Sequence, residues 1–128
     1  MDAIAYDEFC KYIITIDKSI RFAGIANNLG TLITSTYREG LIPLMDIEET
    51  SRYSIQAVTR VSLREDFQSK LGKFEYSVGK YEKLIRAIVP FHTKNDCFYL
   101  LLSFDVGSNP SKIIEELIIP CTKGSYFK

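Results

Sequence analysis

Cys97-Phe98-Tyr99-Leu100-Leu101-Leu102-Ser103-Phe104 is apolar at almost every position. A strand with one wet face alternates apolar and polar residues, whereas a strand covered on both faces reads as a continuous apolar run. The run is the last of three successive predicted strands, Lys73–Val78, Leu84–Phe91 and Cys97–Phe104. It therefore belongs near the middle of a sheet that carries helices on both sides. Everything else in the chain has to be arranged around that requirement.

The remaining elements follow from periodicity. Tyr6, Phe9, Cys10, Ile13, Ile14 and Ile16 recur at spacings of three and four, which predicts a helix from Asp2 to about Asp17. Arg21–Ala26 and Thr31–Tyr37 read as two strands joined by Asn27-Asn28-Leu29-Gly30, whose Asn and Gly residues tolerate a left-handed backbone. Gly24 within the first strand implies a bulge or a close approach by another backbone.

Asp46 with Glu49 three residues later is a capping-box signature, and it opens a helix predicted from Ile47 to Leu71, stopped by Gly72. That helix carries two apolar stripes. Tyr53, Ala57, Val58 and Val61 make one, and Leu63, Phe67 and Leu71 make another, rotated about the axis. The second stripe implies either a bend near Ser62 or a surface used by another chain.

Phe74, Tyr76 and Val78 alternate with polar residues, as in a strand with one wet face, and Gly79-Lys80 reads as a turn. Pro90 falls at the end of the next strand, where a missing N–H is easiest to tolerate. A last helix starts at Pro110 with Asn109 as its cap. It buries Ile113, Ile114, Leu117 and Ile118 and ends at Pro120. Lys123–Lys128 reads as a loose tail that Tyr126 and Phe127 could pin down.

The order is helix, two strands, helix, three strands, helix, in a length of 128 residues that predicts one domain. It resembles the roadblock and longin group of profilin-like domains. The residues that carry the likeness are the Ile20–Ile33 hairpin, the long helix after Asp46, and Lys73–Asp105 with its apolar fifth strand. The resemblance implies an α+β fold of three layers, α/β/α. Its five-stranded antiparallel sheet has the order 2-1-5-4-3, with the second helix on one face and the terminal helices on the other. Arg21-Phe22-Ala23-Gly24, Arg38-Glu39-Gly40, the helix start Asp46–Thr50, and Tyr81-Glu82-Lys83 with Arg86 and Pro90 are also similar to a family of small archaeal proteins of unassigned function. That second likeness implies an archaeal source and transfers no active-site residues.

Several kinds of chemistry lack the residues they need. Sixteen basic and sixteen acidic residues cancel, so no basic excess recommends nucleic acid. No apolar run approaches a membrane span, and the acidic start lacks signal-peptide order, which with three scattered cysteines predicts a reducing, cytoplasmic setting. Gly79-Lys80 lacks the rest of a phosphate-cradling loop. A single histidine, His92, cannot build a metal site or a nucleophile–base pair on its own. Neither cofactor nor enzymatic activity is expected.

Two residue sets remain. Arg21, Arg38, Glu39, Glu82 and Arg86 form the notable polar set. The hairpin brings Arg21 and Arg38 to one end, and Arg86, inside an apolar strand, wants a carboxylate such as Glu82 or Glu39. The set reads as an ion-pair network or as an anion pocket held by Arg38 and Arg86. The second set is Leu63, Phe67, Leu71, Phe74 and Tyr76, an expected pairing surface. Roadblock-type domains typically pair through the second helix and third strand, and some scaffold or regulate small GTPases. The resemblance thus implies a non-enzymatic, homodimeric interaction module with a small GTPase or another protein as partner. The alternative is a small-anion sensor of profilin- or PAS-like type.

Overall fold

A computed structural model describes residues 3–93 and 95–123. The predicted helix start at Asp2 and the tail residues Tyr126 and Phe127 lie outside the described residues. The elements are α1 (Ala3–Ile16), β1 (Ile20–Ala26), β2 (Leu32–Tyr37), α2 (Ile47–Glu65), α3 (Gln68–Leu71), β3 (Ser77–Lys80), β4 (Ile85–His92) and β5 (Cys97–Phe104). A terminal helical segment follows, made of α4 (Pro110–Ile113), a π-helical stretch (Ile114–Ile118) and α5 (Ile119–Lys123).

The strands form one antiparallel sheet in the order β2-β1-β5-β4-β3. The central strand β5 is buried on both sides. Phe98, Leu100, Leu102 and Phe104 join a core with Phe9 and Ile13 of α1 and with Ile114 and Ile118 of the terminal segment. Tyr99 and Leu101 point the other way, into a second core with Ala57, Val58 and Val61 of α2. The three layers expected from the apolar run are therefore present.

Asp46 caps α2 as predicted. Its Oδ1 accepts from the Glu49 N–H at 2.8 Å, and Glu49 Oε1 accepts from the Asp46 N–H at 3.1 Å. Asn109 likewise caps α4, accepting from the Lys112 N–H ahead of Pro110.

Several local expectations need correction. The helix predicted to run to Leu71 ends at Glu65, and α3 begins after Phe67, whose carbonyl accepts from the Leu71 N–H. The rotated second stripe thus marks a break, placed at Asp66–Phe67 and not at Ser62.

The strand predicted from Lys73 starts only at Ser77, and Gly79-Lys80 lies within it. The turn comes after, where the Tyr81 N–H donates to the Leu84 carbonyl. The physical reason is that Phe74 packs against the α2-side core while Tyr76 packs against the opposite one. Two residues of the same strand parity cannot reach opposite faces, so the segment wraps around the sheet's border.

Pro120 does not end the last helix. The wider π-helical stretch immediately before it changes the hydrogen-bond partners where the proline N–H is missing. Leu117, expected to be buried, is 44% exposed.

Of the two readings at Gly24, the close approach is by side chains and not by a backbone, since a Cβ there would touch the Phe22 ring and Leu32. The register of β1 does shift nearby, between Ile25 and Ala26 against β2 and between Ile20 and Phe22 against β5. In the hairpin turn only Gly30 has positive φ. Asn27 serves through its side chain, whose Oδ1 accepts from the Leu29 and Thr31 N–H groups.

Candidate functional site

Arg21 is the second residue of β1, Arg38 follows β2, and Asp105 follows β5. The antiparallel register pairs Ile20 with Phe104 and Phe22 with Tyr37, so all three reach one end of the sheet. Asp105 takes both guanidinium groups. Arg38 is bidentate, with Nη1 at 2.7 Å from Oδ2 and Nη2 at 3.2 Å from Oδ1, and Arg21 Nη1 lies 3.1 Å from Oδ1. Arg38 also donates to the Lys18 carbonyl at 2.8 Å. The Arg38 hydrogen bonds hold the Asp105 carboxyl below its ordinary range against the opposing effect of burial, with Arg21 adding to the shift. The Arg38 guanidinium is correspondingly raised.

Arg86 lies elsewhere. Among the described residues it pairs with neither Glu39 nor Glu82, both of which are exposed. Its guanidinium sits 3.6 Å from the centroid of the Tyr53 ring and 5.8 Å from that of Tyr81, and it donates to Met45 Sδ at 2.9 Å. Aromatic faces thus supply the partner that a carboxylate was expected to supply. Arg38 lines an open depression with Lys18, Asp105 and Lys112. Arg86 and Arg21 line a cleft of about 40 Å³ under the segment Leu41–Met45. The expected shared pocket for an anion between Arg38 and Arg86 does not form.

The second predicted set is partly assembled. Leu63, Phe67 and Leu71 are 64%, 63% and 83% exposed. Phe67, Leu71, Phe74 and Tyr76 line one open depression of about 420 Å³ at the end of α2, and Leu63 lies outside it. Phe74 and Tyr76 are half-buried against their own cores, and the Tyr76 hydroxyl donates to Glu115.

No family model matches the chain, and no curated protein matches it. Solved structures do resemble it. The gliding protein MglB of Thermus thermophilus superposes with a TM-score of 0.69 at 12% identity, over 94% of this chain and 90% of that one. A roadblock/LC7 domain from Streptomyces avermitilis gives 0.65 at 10% identity, over 88% of each chain. An MglB described with a tetrameric arrangement gives 0.68 at 13% identity, over 95% and 93%.

The fold is that of roadblock/LC7 domains.

Within this roadblock-like fold the cysteines carry no visible chemistry. All three are free, and burial pushes the Cys10 thiol up to about 12 and also raises Cys97. Among the described residues no three of His, Cys, Asp and Glu are grouped to hold a metal, and no helix is long and apolar enough to cross a membrane.

Two features were missed from the sequence. Asp105 was not weighed as the partner of Arg21 and Arg38, although the order 2-1-5-4-3 already places the end of the fifth strand beside the start of the first. The other is a groove between α2 and β3, lined by Arg60, Arg64 and Arg86 with Tyr53 and Tyr81. Arg60 and Arg64 stand four residues apart on one helix, which was the available signal.

Proposed function

We propose that this chain is a non-enzymatic interaction module of the cytoplasm, which pairs with a second copy of itself at the end of α2. The observation that carries the reading is the exposure of Phe67 and Leu71 beside the half-buried rings of Phe74 and Tyr76, with Leu63 exposed four residues before Phe67. Large apolar side chains contiguous on a surface mark interaction sites. Burying a Leu or Phe side chain contributes about 1.5–3 kcal/mol. A two-fold arrangement presents the same patch twice, so one apolar patch suffices for both partners. The tetrameric arrangement described for one structural neighbour supports self-association as a use of the fold.

The finer reading, a regulator or adaptor of small GTPases, rests on the likeness of fold. An archaeal source rests on the sequence resemblance alone.

Light scattering of the full chain tests the pairing. The expected result is twice the chain mass, with Leu63→Glu and Phe67→Glu each weakening association by about tenfold or more. A strictly monomeric wild-type chain overturns it.

A further inference from the structure

The cleft of about 40 Å³ beneath Leu41–Met45 sets Arg21, Arg86 and Ser103 among mostly apolar walls. Few polar groups converging in an apolar cleft is the usual make-up of a small-molecule site. The sheet register puts these groups side by side. Ser103 of β5 lies opposite Phe22 of β1 on one side and Arg86 of β4 on the other. Directly opposite residues share a sheet face, so Ser103 and Arg86 both rise on the side that Phe22 turns toward α2. Arg21 sits at the register shift between Ile20 and Phe22, and such a shift re-aims a side chain.

These groups are left wanting an anion. Ser103 is only 8% exposed, and among the described residues its hydroxyl has no hydrogen-bond partner. No fully sealed side-chain oxygen lacks a partner among the described residues, so this hydroxyl reaches the open space of the cleft. Thr50 also lines the cleft, but its hydroxyl is spent on the Asp46 carbonyl. Arg86 has no carboxylate partner among the described residues. Tyr53 covers a face of its guanidinium, which leaves the in-plane N–H edges for a ligand. Arg21 and Arg38 share the single carboxylate of Asp105, a surplus of one positive charge.

We propose that this cleft binds the carboxylate of a small organic acid, held by Arg86, Arg21 and the Ser103 hydroxyl, with a short tail against Leu41, Pro43 and Leu84. An edge-on guanidinium matches the two oxygens of a carboxylate. The space admits about three water-sized groups, which limits the acid to the size of acetate or propionate. A phosphate would leave charged oxygens against Leu41 and Pro43, an unfavourable burial. The cleft lies at the start of α2 and the apolar patch at its end. Tyr53 and Arg86 also border the α2–β3 groove, so the acid sits next to the pairing side but needs no partner chain to complete its site.

The test is an NMR titration of the full chain with acetate and propionate at constant ionic strength, following the Arg86 side-chain N–H and the Ser103 amide. Expected are saturable shifts with a roughly millimolar midpoint, in keeping with so small a ligand. Arg86→Lys keeps the charge but loses the fork, and should weaken binding about tenfold or more. Ser103→Ala, which removes one donor, should weaken it by about fivefold. Acetamide, neutral and of the same shape as acetate, should give no saturable shift. Phe67→Glu should leave the midpoint unchanged, so failure of self-pairing and failure of the cleft are read separately. The proposal is overturned by absence of saturable shifts, by acetamide reproducing them, or by binding that both cleft variants leave unchanged. Tighter binding of sulfate or phosphate would overturn it by making the cleft a site for tetrahedral anions, and loss of binding in Phe67→Glu would overturn it by placing the ligand between two copies.

Discussion

The Ser54 hydroxyl donates to the Gly30 carbonyl at 2.7 Å, joining the buried face of α2 to the β1–β2 turn. The helix is seated so close that a Cβ on Gly30 would stand 2.7 Å from the Cα of Ile55, and Gly30 has φ +86°. Gly30→Ala therefore meets backbone strain and a backbone collision together, and should destabilise the fold by about 3 kcal/mol. Gly40→Ala shares the positive φ but meets nothing within 4 Å, so it should cost only about 1–2 kcal/mol. Ser54→Ala leaves the Gly30 carbonyl without that partner and should cost about 1 kcal/mol. Urea unfolding of the three variants checks the order, and equal losses for the two glycine variants would contradict the close seating.

How much of this was legible in the sequence depended on whether a pattern had one physical cause or two. The run Cys97–Phe104 has one, burial on both faces, and it placed β5 correctly. Asp46 and Glu49 also have one, since a capping box is local. Phe74, Tyr76 and Val78 looked like one alternating face, yet Phe74 and Tyr76 serve cores on opposite sides of the sheet. Pro120 reads locally as a stop, and only the helix around it shows the π-helical stretch that lets the chain continue. The Arg21–Asp105 bond spans 84 residues, so it needed the sheet order and register before it could be seen. The groove needed Arg86, on β4, to be brought beside two arginines of α2.

Asp105 should make stability depend on acid. Its carboxyl titrates lower in the folded chain than in the unfolded one, first because of Arg38 and then because of Arg21. A depressed carboxyl contributes stability that is complete above the unfolded value of about 3.9 and is lost as pH falls through the folded value. At neutral pH, Asp105→Asn should cost about 1 kcal/mol, since the group is partly exposed and screened. The gap between wild type and variant should then close as pH drops below about 4. Denaturation midpoints measured from pH 7 to pH 2 check the sign; a gap that widened in acid would exclude this assignment.

Asp46→Ala separates the stability of α2 from its use as a surface. It removes the side chain that accepts from the Glu49 N–H and leaves the apolar residues at the other end of the helix untouched. Loss of an N-cap of this kind costs about 1 kcal/mol. Thermal unfolding should report that loss, while light scattering gives the same mass as wild type under conditions where both are folded. A drop in mass without a loss of stability would place part of the pairing surface at the start of α2.

The adjacent residues Leu101 and Leu102 test the layered architecture itself. Both are essentially inaccessible, at 0% and 1% exposure, yet they belong to different cores on opposite faces of β5. In a sheet with one bare face, truncating the outward residue would change stability by no more than about 0.5 kcal/mol. Here each truncation to Ala should leave a cavity and cost about 2–5 kcal/mol. The two sites pack against different helices, Leu101 against α2 and Leu102 against α1 and the terminal segment. Their residual difference therefore reports how far each layer can relax into the space. Chemical denaturation of Leu101→Ala and Leu102→Ala measures both, and a near-neutral result for either one would mean that its side of the central strand is uncovered.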